Sequence, residues 1–343
     1  MSNIEIQTPA EENTSAHARP PFDGLSIDKV IDSVESLGYL SDLRVFPLNS
    51  YENRVYQVGI EDEQPLIAKF YRPERWSDEQ ILEEHQFSLE LHEAEIPVIP
   101  PVIHDDQSLF HYGGYRFSLA ERKGGHAPEL DNLDTLYTLG QHLGRIHAIG
   151  AASAMQCRPE LTLESFASNS REFLLNSDML PSSLRAAYEA ISEQLIEKLS
   201  EQFSQHDYQR IRLHGDCHPG NIISRPDSLY IVDLDDCRSG PAIQDLWMLL
   251  NGEREEKTRQ FIELLEGYEE FHEFNRAELR LIEPLRTLRL MHYAAWLAKR
   301  WYDPAFPQAF PWFNTERYWA EHINELKEQH FALDEEPLKL QSY

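Results

Sequence analysis

His214, Asp216 and Asn221 stand in the spacing H-x-D-x-x-x-x-N, within the run Arg212-Leu-His-Gly-Asp-Cys-His-Pro-Gly-Asn-Ile-Ile. Asp233 follows twelve residues after Asn221, at the end of the apolar stretch Tyr230-Ile-Val-Asp-Leu-Asp-Asp. These residue types suit phosphoryl transfer. A carboxylate must reach the attacking hydroxyl, orient it and accept its proton, and Asp216 is the candidate. A Mg²⁺ ion on the phosphates of ATP prefers oxygen ligands and takes only one or two protein carboxylates. Asn221 offers a carbonyl and Asp233 a carboxylate, so Asp233 is both a catalytic and a metal-binding candidate. A lone H-x-D would be unremarkable on a surface loop; the whole set is far more specific. Asp235 could add a water-mediated metal contact, but the preferred reading leaves it and Asp236 solvated or structural.

The elements needed to position these groups are legible nearby. Residues 222–224, a Pro226-Asp227 turn and residues 229–232 make a tight hairpin that sets Asn221 beside Asp233. Pro219-Gly220 lets the chain reverse just before Asn221. Further back, residues 43–47, 54–60 and 66–71 are rich in β-branched and aromatic residues and predict strands. Ser77 and Gln80 have capping-box spacing and open a helix. Two more strands, 109–112 and 115–119, flank Gly113-Gly114, a hairpin signal. A connector spans 121–125, and from Leu133 the pattern is mostly helical. Strands first and helices after is an α+β arrangement, with a ligand cleft expected at the junction near 118–125.

A nucleotide needs its own contacts. Lys69 lies in the apolar strand Leu66-Ile-Ala-Lys-Phe-Tyr and suits the α/β phosphates. Of the two carboxylates on the next helix, Glu84 falls on its partly apolar side and Glu83 on the charged side, so Glu84 is the expected partner of Lys69. The loop before the second strand, residues 49–53 (Asn-Ser-Tyr-Glu-Asn), has no glycine. Ser50 is the candidate there for a hydrogen bond to a phosphate oxygen, because Asn and Ser accept turn conformations and bring polar groups of their own.

Other residues carry weaker signals. Asp245 opens the apolar run Leu246-Trp-Met-Leu-Leu and reads as a helix cap or a brace for the catalytic loop, a structural role either way. His214 reads as packing behind the loop rather than as a base, and His218 has no evident partner. Arg286, Arg289, Trp296, Trp301, Trp312 and Trp319 could form a substrate-facing wall, but core packing with arginine stems along it is the preferred reading.

Composition bounds the possibilities. The chain of 343 residues has 59 acidic against 31 basic residues, a formal net charge of -28. Such a chain repels phosphate backbones, which argues against a nucleic-acid binder. Three cysteines without C-x-x-C support neither a disulfide framework nor a zinc cluster. The start lacks the basic and apolar regions of a signal peptide, and no apolar run reaches the roughly 18 residues of a membrane span. A cytoplasmic protein is expected.

The segment 214–236 resembles the catalytic loop and metal motif of the aminoglycoside phosphotransferase and choline kinase-like branch of the protein-kinase fold, which writes H-G-D and D-x-D where typical protein kinases write H-R-D and D-F-G. Leu48-Asn-Ser-Tyr-Glu-Asn-Arg-Val-Tyr, Lys69-Phe-Tyr-Arg-Pro-Glu-Arg-Trp, Ile81-Leu-Glu-Glu-His-Gln-Phe, Gly240-Pro-Ala-Ile-Gln-Asp-Leu-Trp-Met-Leu-Leu and Asp303-Pro-Ala-Phe-Pro narrow the resemblance to the bacterial stress response kinase A group. Residues 1–22 themselves read as a disordered leader; the resemblance implies a two-lobed protein-kinase-like fold, with a small strand-rich N-lobe for nucleotide at 23–119 and a connector with a larger helical C-lobe at 120–343. It implies Asp216 as base, Asn221 and Asp233 as magnesium ligands, ATP as co-substrate and a protein Ser/Thr hydroxyl as acceptor. It further implies a cytoplasmic, monomeric kinase, itself a phosphoprotein, acting in stress survival. A small-molecule kinase for an amino alcohol or aminoglycoside shares the same chemistry, and a pseudokinase binding module is the alternative of a different class.

Overall fold

Alternating apolar residues build the first strands, and in the computed structural model, which describes residues 20–205, 207–226 and 228–340, they form one antiparallel sheet. Its strands are β1 (Ser41–Pro47), β2 (Arg54–Ile60), β3 (Leu66–Phe70), β4 (Phe110–Tyr112) and β5 (Tyr115–Glu121), in the order β1-β2-β3-β5-β4. Gly113 and Gly114, both at positive φ, make the β4–β5 turn. Helix α1 (Ile27–Glu35) buries Val30 and Val34 against Val58, Ala68, Phe70 and Phe117. Strand β5 runs two residues past the expected end at 119, because Leu66 and Ile67 pair with Glu121 and Ala120. Most of the expected leader lies outside the described residues. Its last residue, Phe22, packs on the sheet under the guanidinium of Arg54, 4.4 Å from the ring centroid.

Helix α2 (Asp78–Glu93) opens with the expected capping box, Ser77 and Gln80 exchanging side-chain and backbone hydrogen bonds. Its Phe87 and Leu91 face away from the first sheet and join the core of the helical part. That core holds α3 (Leu133–Ala152), α4 (Asn169–Asn176), α5 (Arg185–Gln205), α6 (Ile243–Leu246), α7 (Arg254–Tyr268), α8 (Ile282–Arg300), α9 (Ala305–Ala309) and α10 (Glu316–Ala332). Two small antiparallel sheets interrupt the helices: β6 (Ile211–Leu213) with β9 (Arg238–Gly240), and β7 (Ile222–Arg225) with β8 (Ser228–Ile231). The fold is α+β with two lobes, as expected. Among the described residues no helix is long and apolar enough to cross a membrane.

Candidate active site

Between the lobes lies a cleft of about 1030 Å³, lined by Ser50, Lys69, Glu84, Asp216, Asn221 and Asp233 among others. The β7–β8 hairpin does what its sequence predicts. Ile222 pairs with Ile231, and the Val232 N–H donates to the Asn221 carbonyl at 2.9 Å, so Asn221 and the start of the Asp233 segment lie side by side.

The catalytic loop is held from behind. Asp245 is fully buried and accepts the backbone N–H groups of His214 at 2.7 Å and Gly215 at 2.8 Å. Its carboxylate also meets His147 Nε2 at 3.1 Å, and His147 is bonded in turn to the Tyr268 hydroxyl. Asp245 lies inside α6 and caps nothing; of its two expected roles the brace is the one observed. His214 Nε2 donates to the Val232 carbonyl at 2.8 Å, which leaves Nδ1 to accept the Asp216 N–H. His214 thus ties the loop to the strand leading into Asp233. Gly215 sits at φ 85, and a Cβ there would stand 2.2 Å from the Asp236 carbonyl oxygen. Any side chain would clash with backbone, so this chain needs H-G-D.

Asp216 points into the cleft with both oxygens engaged. Oδ1 pairs with Arg289, and Oδ2 lies 3.4 Å from His218 Nε2. Burial alone would raise its pKa, but the hydrogen bond from His218 and the Arg289 charge outweigh it and hold the carboxyl below its usual range. His218 therefore has the partner that sequence did not reveal. Its Nδ1 accepts the Gly220 N–H, which directs Nε2–H toward Asp216.

Asn221 donates Nδ2–H to the Asp216 carbonyl at 3.0 Å, so its Oδ1 is the atom left for a ligand. Asp233 occupies the left-handed region at φ 63, uncommon for a non-glycine residue, with its carboxylate about half exposed to the cleft. One amide oxygen and one open carboxylate fit a hard, oxygen-seeking cation such as Mg²⁺ that keeps its remaining positions for phosphate and water.

Lys69 lies among three carboxylates: Asp233 at 3.0 Å, Asp235 at 3.1 Å and Glu84 at 3.6 Å. Desolvation works against its charge, but the carboxylates prevail and its pKa stands well above the ordinary lysine value. Glu84 is buried beside Lys69, whereas Glu83 accepts the backbone N–H groups of Gln156, Cys157 and Arg158 and so anchors α2 to the C-lobe. Asp235 is buried, pairs with Arg75 as well as Lys69, and is held down at about 2, the desolvation cost being overcome by Arg75 and Lys69. These contacts fix the Asp235 side chain in the cleft wall.

The glycine-free loop owes its shape to Glu52. That carboxylate contacts Arg72 at 2.9 Å, Arg75 at 3.7 Å and Arg300 of α8, and accepts the Trp296 indole N–H at 2.6 Å. Ser50 Oγ donates to the Asn53 carbonyl at 3.2 Å and lies at the cleft wall. Asp303, buried at the head of the Asp-Pro-Ala-Phe-Pro run, receives Arg54 at 2.8 Å and Arg72 at 2.7 Å from the other lobe. The loop is thus fastened to the C-lobe by charge where a glycine-rich loop would rely on backbone freedom.

The expected core assignment of the arginines and tryptophans holds only in part. Helix α8 turns one face to the cleft, with Leu285, Arg289, His292, Tyr293, Trp296 and Arg300 at helical spacing. Arg289 and Trp296 line the cleft, and Trp296 also packs on Phe306 and Phe310. Arg286 instead pairs with Glu283 and lies over Trp247, while Trp319 is buried and Trp301 packs on Phe313. The signal was present in the i, i+4, i+7 and i+11 spacing of residues 285, 289, 292 and 296, but a buried helix shows the same pattern.

Residues 44–282 match the family model described as the Phosphotransferase enzyme family. Stress response kinase A of Escherichia coli O157:H7 is 45% identical over 319 residues, which cover 93% of this chain and 97% of that protein. Serine/threonine protein kinase RdoA of Salmonella typhimurium (strain LT2) is 44% identical over 319 residues, again 93% and 97%. Among solved structures, amicoumacin kinase hAmiN, in complex with AMP-PNP and Ca²⁺, has a TM-score of 0.72 at 20% identity, covering 91% of this chain and 94% of its own. Choline kinase LicA from Streptococcus pneumoniae has a TM-score of 0.61 at 14% identity, covering 89% and 99%. At these identities the solved structures speak for the fold alone.

Proposed function

The chain belongs to the phosphotransferase enzyme family, within the stress response kinase A group, and on that premise we propose that it moves the γ-phosphoryl group of ATP to a serine or threonine hydroxyl of a protein. The observation that carries the phosphoryl-transfer chemistry is the convergence of Lys69, Asp216, Asn221 and Asp233 on one cleft. The protein acceptor rests on the stress response kinase A and RdoA relatives at 44–45% identity.

Asp216, ionised at neutral pH, accepts the hydrogen bond of the acceptor hydroxyl, aims its oxygen and takes its proton as the new O–P bond forms. The bond from the γ-phosphorus to the bridging oxygen breaks, and ADP leaves. Lys69 turns its ammonium to the nucleotide phosphates while Glu84 and Asp235 keep it in place. Asn221 and Asp233 hold Mg²⁺, which neutralises phosphate charge when bound. His214 and Asp245 touch no reacting atom; they hold the backbone of the loop that carries Asp216.

Incubation with γ-labelled ATP and Mg²⁺ in the presence of a protein acceptor tests the proposal. Label recovered as phosphoserine or phosphothreonine is expected. Label confined to a small amino alcohol or aminoglycoside acceptor would overturn the protein-kinase assignment and leave phosphoryl transfer standing.

A further inference from the structure

We infer that Arg289 selects the acceptor: it guards Asp216 until an acidic group beside the acceptor hydroxyl draws it away. The inference rests on the protein-kinase reading above.

Arg289 projects from the cleft face of α8 and is about two-fifths exposed, and Asp216 is the one carboxylate it pairs with among the described residues. Its neighbours in the cleft differ. Arg75 is balanced by Asp235, Asp236 and Glu52, Arg238 by Asp236, and Arg300 by Glu52. Those arginines are structural and largely buried, whereas Arg289 has, among the described residues, only the catalytic carboxylate.

That pairing has a chemical consequence. A guanidinium on Oδ1, with His218 near Oδ2, takes one acceptor site on each oxygen and draws charge from the carboxylate that must accept the hydroxyl proton. For Asp216 to act as a base, Arg289 must loosen its hold on Oδ1, and its charge then needs a new anion. An Asp or Glu side chain next to the acceptor Ser or Thr supplies one, in the bidentate geometry a guanidinium prefers. Water carries no such anion, so it leaves the guard in place and ATP is spared hydrolysis. The net charge of -28 draws basic molecules at long range, but salt screens that field beyond about 8 Å. At contact distance the unbalanced cation of Arg289 decides.

Three serine peptides identical but for their flanks (Asp/Glu, Ala, Lys/Arg) are offered with ATP and Mg²⁺ to the full-length protein and to Arg289→Lys, Arg289→Gln and Arg289→Glu. The natural protein should favour the acidic flank over alanine by about tenfold in kcat/KM, the worth of one charge-assisted hydrogen bond. Arg289→Lys should retain part of that preference, Arg289→Gln should lose it while its acceptor-free ATP hydrolysis rises, and Arg289→Glu should favour the basic flank. An unchanged preference in Arg289→Gln, or a basic preference in the natural protein, overturns the inference while the kinase reading stands. No label on any peptide overturns the protein-kinase reading itself and takes this inference with it.

Discussion

The Lys69 ammonium lies 3.0 Å from the Asp233 carboxylate and 3.6 Å from that of Glu84. The lysine expected to hold phosphate is thus paired with the metal-binding candidate. On the proposed function, ATP and Mg²⁺ would exchange these partners: phosphate for the lysine, cation for Asp233.

Lys69→Met should therefore act twice. It removes the phosphate contact, and it leaves Glu84, Asp233 and Asp235 facing one another. Stability should fall by about 3 kcal/mol, as when one partner of a buried pair is removed, and ATP affinity should fall with it. A second change, Asp235→Asn, should restore part of the stability and none of the affinity. Chemical denaturation and nucleotide titration of both variants check this; equal loss of stability in the single and double variants would count against the coupling.

Glu52 is the clasp of the glycine-free loop at residues 49–53. Glu52→Gln should raise the KM for ATP about tenfold and cost about 2 kcal/mol in stability, because Arg72, Arg75 and Arg300 lose a shared carboxylate. Adding Arg300→Met should recover part of the stability, and a double-mutant cycle measures the coupling. Strict additivity of the two changes would show that the loop does not depend on this cluster.

Asp245→Ala strands two buried N–H groups, those of His214 and Gly215. The expected cost is about 3 kcal/mol, with kcat reduced more than ATP affinity, because the loop carrying Asp216 loses its brace. Thermal melts and steady-state kinetics test it. A variant with full kcat would mean that the loop keeps its shape without Asp245.

Stability should depend on pH through histidines that are buried (His85, His322) or partly buried (His142, His292). Burial lowers His85 and His292 to about 3, and His142 and His322 to about 4. These depressed values favour the neutral ring in the folded state. Their contribution is whole above about pH 6.5, the unfolded value, and is lost as pH falls toward 4 and then 3. Each costs about 1.4 kcal/mol per pH unit through that window. Glu278 has the opposite sign: burial raises it to about 7, so its contribution is present below about pH 4.5 and is lost as pH rises through 7. Denaturation midpoints should drop steeply below pH 6.5, and Glu278→Gln should flatten the decline above pH 5. A midpoint constant from pH 4 to 6.5 would contradict the histidine account.

What sequence revealed and what it hid follow from distance along the chain. The β7–β8 hairpin, the Ser77–Gln80 cap and the choice of Glu84 over Glu83 rest on local spacing, and each has its expected geometry. The three-residue strands β6 and β9 are too short to show a period-two pattern. Arg54 and Asp303 are 249 residues apart, and nothing local to either names the other. Arg289 and Asp216 are likewise joined only by the fold, since a helix face toward a ligand cleft and one toward a core carry the same periodicity. The His218–Asp216 contact was hidden by its shortness: two residues apart in a loop have no fixed relation until the Gly220 N–H orients the ring.

The assignment of Asp216 as the base is tested most directly by Asp216→Ala, with single-turnover phosphoryl transfer and ATP binding measured on the same preparation. Transfer should fall by roughly a thousandfold or more, while ATP affinity stays within a few fold, because Lys69, Asn221 and Asp233 remain. Near-normal transfer in that variant would contradict the account.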